Sequence, residues 1–136
     1  MIIKEFISET NKNQMISTLL KHYKVGSVKL RYKSMKDYAH FDVDRGTLQL
    51  STKYKTIKSS QTKDFLITIL HEIDHAIDSK KKGWKSFKAD YEWEMNYQIS
   101  QDKDEYKDNK YEIEAEKFGQ GIWKAWNRKF KKQGLI

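Results

Sequence analysis

The feature that most constrains this chain is a run from about Gln61 to Lys80. Within it Phe65, Leu66, Ile69, Leu70, Ile73, Ala76 and Ile77 fall on one broad face at helical spacing. That spacing predicts a long helix with a wide buried side. Lys80, Lys81 and Lys82 complement the negative end of its dipole, and Gly83 supplies a stop.

The other segments are read against this helix. Upstream, Met15, Ile16, Leu19, Leu20 and Tyr23 keep the spacing of a buried stripe and predict a helix over residues 10–24, with Gly26 ending it. Val28, Leu30 and Tyr32 then alternate with polar residues as in a strand. Two more strands are expected over 38–43 and 47–52, joined by Asp44-Arg45-Gly46, whose glycine can take a positive φ in a hairpin loop. Leu48 and Leu50 should face the core. Downstream, 84–99 is aromatic and helical in character, SQDKDEYKDNK reads as a polar loop, and a last helix over 109–131 carries Tyr111, Ala115, Phe118, Ile122, Trp126 and Phe130 on its buried side. The expected class is α+β: an N-terminal helix, a small three-stranded sheet with a hairpin, the helix of residues 61–80, and a closing helix. No repeat or Pro/Gly-rich linker divides residues 1–136, so one domain with one core is expected.

Composition narrows the chemistry. There is no cysteine, so neither a disulfide framework nor a thiolate site is available, and a metal has to be held by His, Asp or Glu. The opening residues MIIKEFISET hold no apolar run of signal-peptide length, and no stretch nears the roughly 20 apolar residues of a membrane span. A soluble, cytoplasmic protein without a membrane partner is the expectation. The net charge of +8 comes almost wholly from lysines scattered along the chain, with Arg31, Arg45 and Arg128 the only guanidinium groups. A solvated surface accounts for this better than nucleic-acid binding does, although KAWNRKFKKQ near the C-terminus interleaves basic and aromatic residues.

His71-Glu72-Ile73-Asp74-His75 matches H-E-x-x-H and lies within the helix that the pattern requires. His71 and His75 project from one face a turn apart, so both imidazoles can reach one tetrahedral ion. Glu72 points beside that ion, where it can act as a general base on water and pass the proton to a leaving amine. A third protein ligand is needed. No histidine follows the motif, and Lys81 stands where a longer histidine pattern would place its third ligand. A downstream carboxylate is therefore expected.

The pair of HEIDH at 71–75 and Glu112-Ile113-Glu114-Ala115-Glu116-Lys117-Phe118-Gly119 resembles the gluzincin metallopeptidases, in which a separate glutamate helix completes the zinc site. The chain order resembles the ImmA/IrrE-type peptidases and the minigluzincins. The resemblance implies Glu112 as the third ligand and Glu116 as a hydrogen-bonding support for a ligating histidine, at a place where the family usually has Asp or Asn. Helical geometry independently puts Glu112 and Glu116 on one face near Gly119 and Trp123. Small Ala115 and Gly119 would let this helix pack close to the histidine helix. Glu114, Glu92 and Glu94 remain competing ligands. The resemblance also implies that the strand before the histidine helix is a sheet edge that pairs with an extended peptide, a role falling on Thr47, Leu48, Gln49, Leu50 and Ser51. An oxyanion-stabilising tyrosine is sought among Tyr91, Tyr97, Tyr106 and Tyr111.

The expected activity is hydrolysis of peptide or protein substrates with one Zn2+ ion. The alternatives are a catalytically silent binding module of the same fold and a DNA-associated protease. Trp84, Phe87, Tyr91, Trp93 and Tyr97 are read first as core packing, and second as a cleft wall or interaction surface.

Overall fold

The structure, a computed structural model, describes residues 6–136; residues 1–5, part of the stretch read above for a targeting signal, lie outside it. The fold is α+β. A short strand β1 (Phe6–Ile7) leads into α1 (Glu9–His22), followed by β2 (Lys29–Lys33), β3 (Ala39–Asp42), β4 (Thr47–Ser51) and β5 (Ile57–Lys58). Three long helices complete the chain: α2 (Thr62–Lys82), α3 (Trp84–Ser100) and α4 (Lys110–Lys132).

α1 begins where Ser8 Oγ accepts the Asn11 amide at 3.1 Å, and it carries Glu9 in its first turn. It ends earlier than the glycine suggests. Lys24, at φ 61°, takes the left-handed position, and Val25 N donates to Leu20 O at 2.9 Å, a hydrogen-bonding pattern that terminates the helix before Gly26 is reached. Buried Val25 then pins the exit against the core.

The main sheet has the order β2-β4-β3, with β2 parallel and β3 antiparallel to β4; β1 and β5 form a separate antiparallel pair. The loop between β3 and β4 is the expected hairpin, with Gly46 at φ 59°. Its register aligns Leu30, Leu48 and Phe41 in one row and Tyr32, Leu50 and Ala39 in the next, facing the helices. One expectation fails here. Thr47–Ser51 is the central strand, paired on both sides, so its backbone groups are engaged and no peptide can add to it. The strand with a free edge toward the helices is β3, because β2 reaches across in parallel and takes the other side of β4.

α2 buries Phe65, Leu66, Ile69, Leu70 and Ile73 against the sheet and α1. α4 packs along α2, contributing Ala115, Trp126 and Phe130. Lys12 of α1 is also fully buried, and its Nζ donates to the carbonyls of Tyr54 and Lys55 at 2.9 Å each and lies 4.6 Å from the Tyr32 ring centre. On α3 the aromatics divide. Phe87 is in the interior, whereas Trp84, Trp93 and Tyr97 are exposed, the last two stacked within 6° of parallel. Core packing therefore holds for only part of that set. No helix among the described residues is long and apolar enough to cross a membrane.

Candidate metal centre

His71, Glu72 and His75 lie along the rim of α2's buried face, so the packing that fixes the helix also fixes them; each is about nine-tenths buried. The two imidazole centres stand 5.0 Å apart. Across from them, Asn109 caps α4, its Oδ1 accepting the Tyr111 amide at 2.9 Å. Glu112 thus falls in the first turn of α4, where the positive end of the helix dipole favours a carboxylate.

One Glu112 oxygen pairs with His75 Nε2 and the other lies 3.5 Å from His71 Nε2. One ligand atom from each of His71, His75 and Glu112 lies within 4.8 Å of the others, so the three are close enough to hold a metal ion. Ligands bound at about 2.0–2.2 Å to a tetrahedral ion stand roughly 3.3–3.6 Å from one another, a separation that the Glu112–His71 pair has at 3.5 Å. The hydrogen-bonding pattern fits the same use. His71 Nδ1 is 3.0 Å from Glu116 Oε2, and an ionised carboxylate only accepts, so Nδ1 carries a proton and Nε2 is the nitrogen left to bind an ion once it has lost its own. That Nε2 is buried without a hydrogen-bond partner, as a ligand atom would be. His75 Nδ1 is likewise unpartnered and has no support equivalent to Glu116.

Electrostatics follow from the same contacts. Burial alone would lower the His71 pKa, but the facing carboxylate of Glu112, with the charge of Glu72 and the hydrogen bond to Glu116, overrides this and raises it to about 9. Burial would raise Glu112, yet the two histidines hold it down to about 2. Glu72 has neither compensation in full: burial raises its pKa, and the histidine charges oppose that only in part.

These residues line a cleft of about 960 Å³ between β3, α2, α3 and α4. The competing carboxylates are placed elsewhere. Buried Glu94 accepts from Gln98 Nε2 at 2.8 Å and the Lys110 amide at 3.3 Å, supporting the start of α4. Glu114 is exposed, and Glu92 sits on the cleft wall outside the ligand group. Of the four tyrosines, Tyr91 packs edge-on to His75 at 6.1 Å, and both Tyr91 and Tyr106 line the cleft with hydroxyls whose pKa is raised first by burial and then by the Glu112 charge. Tyr111 instead accepts from Lys82 Nζ at 3.2 Å, and Tyr97 is stacked on Trp93 away from the centre. The cleft wall formed by Tyr38 and β3, and the proximity of His40 to Glu72, carry no motif that sequence reading could have found.

No protein-family model, curated protein or solved structure matches this chain.

Proposed function

We propose that the chain is a zinc-dependent metallopeptidase of gluzincin type. One observation carries the reading: His71, His75 and Glu112 converge inside a cleft that Glu72 and a free strand edge also line. Two imidazoles and a carboxylate form a ligand set used by catalytic zinc, which keeps a further position open. When bound, the ion would polarise the scissile carbonyl as a Lewis acid and make water acidic enough to deprotonate near neutral pH.

The chain's own groups supply the rest. Glu72, next to His71 on α2 and buried, is placed to receive a proton from water and return it to the leaving amine, and its raised proton affinity suits both steps. Glu116 holds the His71 ring in one orientation and tautomer. β3, with one edge unpaired, is positioned to hydrogen-bond an extended substrate, taking the role expected of Thr47–Ser51. Tyr91 and Tyr106 are the hydroxyls available for a developing oxyanion.

The test is Glu72→Gln in zinc-loaded protein, assayed on a broad peptide library with zinc content measured in parallel. Hydrolysis should fall by at least about a thousandfold while one zinc per chain is retained. Undiminished turnover in this variant removes Glu72 from its role. A second reading, recognition of a protein partner without turnover, draws on the exposed Trp93–Tyr97 stack. Zinc binding with no cleavage by the wild type would favour it.

A further inference from the structure

We propose that the outward face of α4, from Lys117 to Lys131, is a docking surface for the phosphate backbone of double-stranded DNA. This role is independent of the chemistry of the cleft and goes beyond the peptidase reading.

The lysines are spread along the chain, but the net charge is not. Residues 117–136 hold six basic residues and none of the nineteen acidic ones, so +6 of the net +8 falls in this last stretch. Everything before it is close to balanced.

The fold converts that segregation into a line. α4 turns Ala115, Gly119, Trp126 and Phe130 inward. At about 100° per residue, Lys117, Lys124, Arg128 and Lys131 fall within about 60° of one another on the opposite side, and all four are exposed. At about 1.5 Å per residue the line is roughly 21 Å long. None of the four makes an ion pair among the described residues. The helix dipole accounts for Lys129, Lys131 and Lys132 in the last turn, but its effect falls off within that turn and does not explain Lys117 or Lys124.

Four unneutralised cations in a straight row suit a partner with a regular row of anions. A DNA duplex carries one charge per about 1.7 Å of its axis, so each cation on the line can meet a phosphate, and the release of condensed counterions supplies affinity. Other polyanions fit this face less well. Single strands bind by stacking bases on open aromatic rings, and the two tryptophans of this stretch are taken. Trp126 is buried with Lys129 Nζ 4.9 Å from its ring centre, and Lys63 Nζ lies 5.3 Å from the ring centre of the partly buried Trp123. A lipid surface needs apolar side chains to insert, and no exposed large hydrophobic residue lies beyond Ile113. Contacts from lysine and arginine to phosphate carry no sequence information, so binding is indifferent to base sequence. None of the four cations lines the cleft, and DNA held here leaves it open.

The experiment uses the zinc-loaded full chain and a fluorescent DNA duplex of mixed sequence, read by anisotropy between about 50 and 200 mM NaCl. Engagement of four phosphates gives a slope of log affinity against log salt of roughly −3.6, a loss of about a hundredfold over that range. Lys124→Gln with Arg128→Gln should halve the slope and weaken binding at least about tenfold. Lys29→Gln with Lys33→Gln, which removes the same charge from exposed positions on β2, should change affinity less than about twofold. Lys124→Arg with Arg128→Lys keeps the charges and should keep the binding, and unchanged zinc content and helical circular dichroism show that each variant is folded. No salt-sensitive binding, or equal losses in the two Gln pairs, overturns the docking surface. Duplex RNA should bind no tighter than DNA, because the cations address phosphates alone. Tighter binding of duplex RNA, a single strand, polyglutamate or phosphatidylserine vesicles than of duplex DNA overturns the assignment of the partner.

Discussion

Gly119 of α4 lies so close to Ile67 of α2 that a β-carbon on the glycine would stand 2.9 Å from the Ile67 carbonyl oxygen. The obstacle is backbone, which cannot rotate aside. Gly119→Ala should therefore push the two helices apart and cost about 1–3 kcal/mol. Because Glu112 and Glu116 ride on the same helix, zinc affinity should fall along with the urea midpoint. A variant equally stable and equally tight for zinc would show that the close approach is not needed.

Glu116 touches the centre only through His71, so its removal should weaken rather than abolish metal binding. Glu116→Ala is expected to lose about 10–100-fold in zinc affinity, and Glu116→Asp, which keeps the carboxylate on a shorter stem, should recover part of the loss. Competition with a chromophoric chelator measures both. His71→Ala and Glu112→Ala should fail to retain zinc at all in the same assay.

Over about pH 6.5–9 the metal-free form should lose stability while the zinc-loaded form does not. Without metal, His71 has its pKa raised to about 9, so its contribution is complete below its ordinary value near 6.5 and is lost as pH climbs through 9. Glu112, held to about 2, contributes fully above its ordinary value near 4.5, and that is lost as pH falls through 2. The metal-free pair is thus strongest between about pH 4.5 and 6.5. Zinc needs the His71 lone pair, so its stabilisation should grow from pH 6.5 toward 9, with proton release on binding. Thermal unfolding with chelator and with excess zinc across that range tests whether the gap between the two forms widens with pH.

Lys12 is a buried cation whose pKa is lowered mainly by desolvation, and it is retained by two carbonyl acceptors and an aromatic ring. Lys12→Met keeps the volume but strips the donors from the Tyr54 and Lys55 carbonyls. A loss of about 2 kcal/mol is expected, read from the urea midpoint. An unchanged midpoint would mean that water replaces the ammonium without penalty.

The histidine half of the centre is legible in the sequence because two ligands one turn apart need nothing but the helix that bears them. The carboxylate half is less so: helical phase sets Glu112 apart from Glu114, but that the Glu112 face meets the histidines depends on the docking of α4 on α2. The sheet order was hidden for the same reason. Alternation in Thr47–Ser51 reveals a strand and its face, whereas the partners on its two sides are chosen by contacts distant in sequence. Two features did leave traces. Lys12 continues the spacing of Met15, Ile16 and Leu19, which puts it on the buried side of α1 despite its charge. On α3, Phe87, Glu94 and Gln98 share the inward face, so the polar end of that stripe leaves Trp93 and Tyr97 pointing out.

The β3–β4 hairpin joins neighbours in the chain, and closing a short loop is entropically cheap, so this unit can assemble before anything distant has found its place. The ligand set has no such shortcut: it exists only after the last helix has docked. A lesion confined to that final step would yield molecules with a finished sheet and an unfinished centre, and the amount of folded protein would then cease to report the amount able to hold metal.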